Sequence, residues 1–234
     1  MKRNMYANKN TAVTAGLVYL VVILTGMFSL AYIPSRFIDW NDSKATFNNI
    51  AANPSLFRMG IYSSLLCYIA FTFLPLVLYK LLETVNPSHA RVMVILALLS
   101  VPLSIGNLQH SYTAVALTGE DQFLQNITQE DLHNRLMFSL RQYNNGLLPA
   151  TVFWGLWLFP FGWLVYRSGF IPKLLGILLM LGCLGYVVNF TGKTLFENYA
   201  QWGIGKYMGM LPGIAEISIC CWLLFWGLLM KKST

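Results

Sequence analysis

Six long apolar stretches run along the 234-residue chain, separated by short polar connections. They fall at about 11–33, 56–82, 91–117, 147–166, 171–191 and 208–230. A helix that crosses a hydrocarbon layer about 30 Å thick needs about 20 mostly apolar residues. Every stretch meets that length, and the short alternating segments of a β-barrel are not visible. Lipid offers a backbone N–H no partner, so a span must satisfy its own hydrogen bonds, which a helix does. The pattern predicts an all-α polytopic membrane protein: one bundle of six transmembrane helices forming a single domain over 1–234. The first stretch is longer than the apolar core of a signal peptide and no small-x-small site follows it, so it reads as a retained helix.

Two connections carry elements of their own. After the first span, Asp42 or Ser43 can cap a short helix through Ala51, limited by Pro54, which gives an amphipathic segment at about 43–52. Trp40 and Phe47 suit a segment lying at the membrane–water interface. After the third span, Thr128 and Asp131 resemble a capping pattern. Leu132, Leu136, Leu140 and Tyr143 then form one apolar helical stripe over about 129–145. That segment either lies flat or leads straight into span four, with Asn144-Asn145-Gly146 as a flexible joint.

Composition agrees with a chain made of spans. Charged residues are 11% of it and apolar ones 56%, against roughly 25% charge in a soluble domain. The net charge of +7 forms no basic stripe, which excludes nucleic acid as a partner and leaves membrane lipids as the surroundings. The positive charges sort by topology instead. With both termini inside, the inner side collects Lys2, Arg3, Lys9, Lys80, Arg91, Arg167, Lys173, Lys231 and Lys232 against Glu83, a balance of +8, and the outer side is left at −1. This bias predicts an inner (cytoplasmic) membrane protein with both termini cytoplasmic.

Small and special residues have bland readings. Cys67, Cys183, Cys220 and Cys221 lie inside spans, with no metal or redox spacing, and read as small buried side chains. Pro75, Pro102, Pro149, Pro160 and Pro212 lie within or near spans and can kink them. Gly205, Gly209 and Gly213 repeat every fourth residue, a ridge that admits close helix approach and offers a route to a helix-mediated oligomer.

Ionisable and polar groups inside a membrane are costly, so they are the strongest functional pointers. Arg58 and Tyr62 enter on span two, Asn107 and His110 on span three, and Arg141 and Asn144 before span four. Asn189 and Lys193 end span five, and Glu216 lies inside span six. Under the topology above they share the outer half of the membrane. A carboxylate there becomes neutral or finds a cation, and Arg58, Arg141 and Lys193 are the cations in reach, the arginines matching its geometry best. Two readings stand: an ion pair that joins helices, and a polar cavity that binds a small amphipathic or anionic ligand through Arg58, Tyr62, Asn107, His110, Arg141, Asn144, Asn189, Lys193 and Glu216. A further alternative is an intramembrane enzyme acting on a lipid or quinone-like substrate, with His110 and Glu216 as proton carriers; another is a structural or regulatory subunit. His89 belongs to an inner loop, and His133 reaches His110 only if its segment folds inward. No metal spacing, nucleophile elbow, phosphate loop or dinucleotide fingerprint occurs, so no metal and no cofactor is expected.

The run Tyr166-Arg167-Ser168-Gly169-Phe170-Ile171-Pro172-Lys173-Leu174-Leu175-Gly176, continuing to Gly185-Tyr186, resembles the most recognisable block of a bacterial membrane family known as a domain of unknown function, number 4386. Ala15-Gly16-Leu17-Val18-Tyr19, Leu56-Phe57-Arg58-Met59-Gly60, and Glu216 ahead of Trp222-Leu223 are similar to its pattern too. The resemblance implies a bacterial multi-pass inner-membrane protein and supplies no reaction. Physically, the block is a tight hairpin: Ser168-Gly169 ends one span, Pro172 starts the next, and Arg167 and Lys173 flank the turn.

Overall fold

The computed structural model describes residues 2–119 and 121–229, with side chains at 9–119, 121–122 and 124–226. The terminal charges of the topology argument (Lys2, Arg3, Lys231 and Lys232) and Glu120 fall outside those side chains. Among the described residues every regular element is helical: α1 (Lys2–Gly26), a π segment (Met27–Tyr32), α2 (Ile33–Phe37), α3 (Ser43–Ala52), α4 (Pro54–Leu82), α5 (Pro87–Ala116), α6 (Gln129–Leu156), α7 (Leu158–Arg167), α8 (Lys173–Leu195) and α9 (Ile204–Leu229), with short 3-10 turns at Gln122–Leu124 and Tyr199–Trp202. Six helical stretches are long and apolar enough to cross a membrane: Lys9–Phe37, Pro54–Leu82, Pro87–Ala116, Gln129–Arg167, Lys173–Leu195 and Ile204–Trp226. Their outward faces carry large apolar side chains such as Leu17, Leu24, Phe73, Ile95, Leu184 and Phe225, all exposed, which suits lipid as the solvent.

Helix ends follow local chemistry. The Asp42 side chain accepts from the Ala45 N–H at 2.8 Å and starts α3. Thr46 exchanges hydrogen bonds with the Asp39 backbone at 2.9 Å in both directions, which closes the preceding turn. Thr128 accepts from the Asp131 N–H at 3.2 Å and starts α6, so the amphipathic segment leads straight into span four without a break at Asn144-Asn145-Gly146. Asn86 caps α5 by accepting from the His89 N–H at 3.0 Å. In the hairpin after α7, Ser168 accepts from the Ile171 N–H at 3.2 Å and Gly169 takes φ +72°, a conformation that glycine enters without Cβ strain.

Prolines reshape two spans. Pro34 has no N–H for the Leu30 carbonyl, and the ladder widens into the π segment just before it. Pro160 stands in the same relation to Leu156, and span four breaks there between α6 and α7. Pro75, Pro102, Pro149 and Pro212 lie inside continuous helices.

The chain divides into two compact units, each built from parts of several spans. One comprises 1–21, 70–101 and 149–234. Here α8 packs along α7 and α9 through glycines that were not part of the expected ridge. A Cβ on Gly162 would stand 2.6 Å from the Gly176 carbonyl oxygen, and one on Gly176 2.6 Å from that of Gly162. Gly182 and Gly185 likewise leave room for Pro212. The other unit comprises 22–69 and 102–148. Its span-one and span-two segments touch where Gly60 meets Ile33. The Ser63 hydroxyl donates to the Thr25 carbonyl at 3.0 Å, and the Cys67 thiol contacts the Val22 carbonyl at 3.4 Å. Cys67, Cys183 and Cys220 are buried free thiols; Cys221 is free and exposed, which corrects its expected burial: it sits on an outward face of α9.

The glycine contacts generate a test. Gly162→Ala or Gly176→Ala forces backbone apart and should cost about 1–3 kcal/mol, read as a lower melting temperature in detergent. Gly106→Ala, inside α5 and with nothing within 4 Å of its added methyl, should keep the melting temperature or raise it slightly, since alanine favours a helix by about 0.5–1 kcal/mol.

Candidate functional site

In the first unit, Glu216 lies twelve residues past the start of α9 at Ile204, about 18 Å along the helix axis at 1.5 Å per residue. That is near the middle of the helix. Its partner is a phenol. The Tyr19 hydroxyl donates to Glu216 Oε2 at 3.1 Å, and Tyr19 is fully buried at 0% exposure. One turn beyond Glu216, the Cys220 thiol contacts the Gly16 carbonyl at 3.5 Å. Gly16 is held against Leu224, 2.9 Å from any added Cβ. Spans one and six therefore meet over two helical turns, and small residues let them approach.

Aromatic rings back this pair. Trp157, 1% exposed, lies 6.3 Å from the Tyr19 ring, takes Phe71 edge-on at 5.3 Å and stacks on Phe161 at 5.3 Å. Trp157 sits at the break that Pro160 imposes, so the proline sets the turn of chain that presents the indole. Tyr186 on α8 is within electrostatic range of Tyr19, and its ring meets Trp154 at 6.5 Å. Glu216 itself is partly buried.

A second polar group in this unit is closed. Tyr199 donates to Asn189 Oδ1 at 2.8 Å, and Asn189 Nδ2 donates to the Gly205 carbonyl at 3.1 Å. Gly192 makes room for the Tyr199 ring, and Gly205 and Gly209 face Asn189. Two of the three ridge glycines thus serve a contact with span five, while Gly213 is exposed with nothing within 4 Å of an added Cβ. Lys193 is exposed near the end of α8.

In the second unit, Asn107 Nδ2 donates to the Tyr143 carbonyl at 2.7 Å, and Gly146 is required there because a Cβ would overlap Asn107 Oδ1. Ser64 and Tyr68 lie near the Tyr143 hydroxyl. His110 is partly buried one turn beyond Asn107. His133 packs its ring on Phe47 at 4.8 Å. Arg141 is exposed and donates to the Trp40 carbonyl at 3.1 Å. Arg58 and Asn144 are exposed, as is Tyr62 at 62%. Among the described residues, no three His, Cys, Asp or Glu side chains converge as metal donors.

Of the expected site residues, Glu216 meets Tyr19, Asn189 meets Tyr199 and Gly205, Asn107 meets Tyr143, and Arg141 meets Trp40. Tyr19, Trp157 and Tyr186 were missed as members. The available signal for Tyr19 was a lone hydroxyl-bearing ring deep in the first apolar stretch, within Ala15-Gly16-Leu17-Val18-Tyr19.

These features define a class: an all-helical protein with six helices fit to cross a membrane and a carboxyl group near mid-span. The chain belongs to the family Domain of unknown function (DUF4386), whose pattern matches residues 14–227. A protein of Archaeoglobus fulgidus, described as an uncharacterized protein, is 34% identical over 76 residues, covering 32% of this chain and 43% of that protein. The matched part is thus under half the length of that relative. No solved structure matches.

Asn189→Ala would strip partners from the Tyr199 hydroxyl and the Gly205 carbonyl. Interhelical hydrogen bonds in membranes average about 0.6 and reach about 1.7 kcal/mol, so a loss of about 1 kcal/mol is expected in detergent denaturation. Arg141→Ala, at an exposed side chain, should change stability by less than about 0.5 kcal/mol.

Proposed function

We propose that this chain is a multi-pass protein of a prokaryotic cytoplasmic membrane, both termini inside, that binds a small amphipathic ligand in the membrane interior with Glu216 as the polar anchor. The lysine and arginine bias between connections supports the orientation. The observation that carries the binding reading is the Glu216 carboxyl near mid-span, held by the neutral Tyr19 hydroxyl at Oε2, on a side chain that is only partly buried. Its remaining oxygen suits a ligand head group that donates hydrogen bonds or carries positive charge. The Tyr186 ring, partly buried, suits the apolar body of such a molecule.

The arginines lend no support to an anionic ligand, since Arg58 and Arg141 are both exposed. The enzyme alternative, with His110 and Glu216 as proton carriers, has no observation in its favour within either unit. A structural reading is favoured by one fact: Tyr19 and Trp157 are almost wholly enclosed, as side chains that clasp helices are. An oligomer through the glycine ridge has Gly213 as its open position, because Gly205 and Gly209 face Asn189.

Native mass spectrometry of protein purified in mild detergent separates the binding and clasp readings. The binding reading expects a small molecule retained by the wild type and by Gly106→Ala, and lost from Glu216→Gln of equal folded yield. Identical bound masses in all three, or none in any, would leave the clasp.

A further inference from the structure

Glu216 is a carboxylic acid where an amide would serve architecture equally well. Tyr19 uses one acceptor oxygen, Oε2, and glutamine presents the same carbonyl oxygen on the same stem. What the carboxyl adds is an exchangeable proton. A carboxyl in hydrocarbon either carries that proton or meets a cation. Among the described residues of this unit, the titratable groups that act on the carboxyl and its partner are Tyr19 itself from α1, Tyr186 from α8 and Cys220 from the next turn of α9. All three are neutral near neutral pH, and none is a lysine or arginine. The Trp157 ring behind Tyr19 adds no charge. Ser218, two residues on, donates to the Ile214 carbonyl of its own helix at 2.6 Å.

From this setting we infer that Glu216 is a reversible proton-binding site in the membrane interior, with Tyr19 as the residue that positions the carboxyl. The inference does not rest on an amphipathic ligand, since the proton is itself the ligand.

Dicyclohexylcarbodiimide tests it on the full chain in lipid vesicles. This apolar reagent enters membranes and adds a carboxylic acid across one C=N bond. The acid's proton goes to nitrogen and its oxygen to the central carbon, and an acyl shift then leaves a stable N-acylurea. Peptide mass spectrometry should find the adduct on Glu216, and labelling should be lost as the medium is taken from mildly acidic to alkaline. A water-soluble carbodiimide should label Glu216 less. Glu216→Gln should abolish the adduct at this position and Glu216→Asp should recover it. An unlabelled Glu216 in folded wild-type protein, or labelling that ignores pH, overturns the inference without needing any variant. Labelled protein that retains no small molecule keeps the proton site and removes the ligand reading; a Glu216-dependent bound molecule on protein that resists labelling even when ligand-free does the reverse.

Discussion

A polar group placed in hydrocarbon has only the protein for a partner. Much of the chain's detail follows from that. Where Pro34 withdraws an N–H, the ladder widens into a π segment. Just upstream, the carbonyls of Thr25 and Val22 take side-chain donors from span two, Ser63 and Cys67. Asn107 and Asn189 give their amide protons to backbone carbonyls of Tyr143 and Gly205. Glu216, the most costly of these groups to enclose, takes the Tyr19 hydroxyl. Each solution joins one helix to another, so satisfying the polar groups and ordering the helices are one process.

The second requirement is close approach, since lipid supplies no hydrophobic drive between helices. Glycine meets it. Gly162 and Gly176 face each other backbone to backbone, Gly16 admits Leu224, and Gly146 admits Asn107. At these sites a methyl group would displace backbone or a hydrogen-bonded amide, so the glycines are tied to the same polar contacts they flank.

What the sequence announced was local. Stretch length marked the six spans, Asp42 and Thr128 marked helix starts, and Ser168-Gly169 with Pro172 marked a hairpin, because each depends on residues within a few positions of one another. The facing of helices was not legible. In water, an apolar stripe tells which side is buried; in a membrane the lipid side and the protein side are both apolar, and the stripe disappears. So the ridge at Gly205, Gly209 and Gly213 looked like one packing face of span six, while only Gly205 and Gly209 meet span five, at Asn189, Gly213 stands open, and the closest approach runs through Gly182 and Gly185 of span five. For the same reason arginines were expected beside Glu216, and the side chain that donates to it is a tyrosine some two hundred positions away in sequence. Charge complementarity can be guessed from composition; a neutral donor on a distant helix cannot.

The contact between Tyr19 and Glu216 is where these constraints converge, and a double-mutant cycle of Tyr19→Phe and Glu216→Leu, each of which removes one partner of the bond, measures it directly. Unfolding free energies in detergent of the wild type, both single variants and the double variant give the coupling. A real interhelical bond predicts non-additive losses, with a coupling of about 0.6–1.7 kcal/mol. Strictly additive effects would mean that the two side chains do not interact, and the account of spans one and six joined through the membrane interior would be wrong.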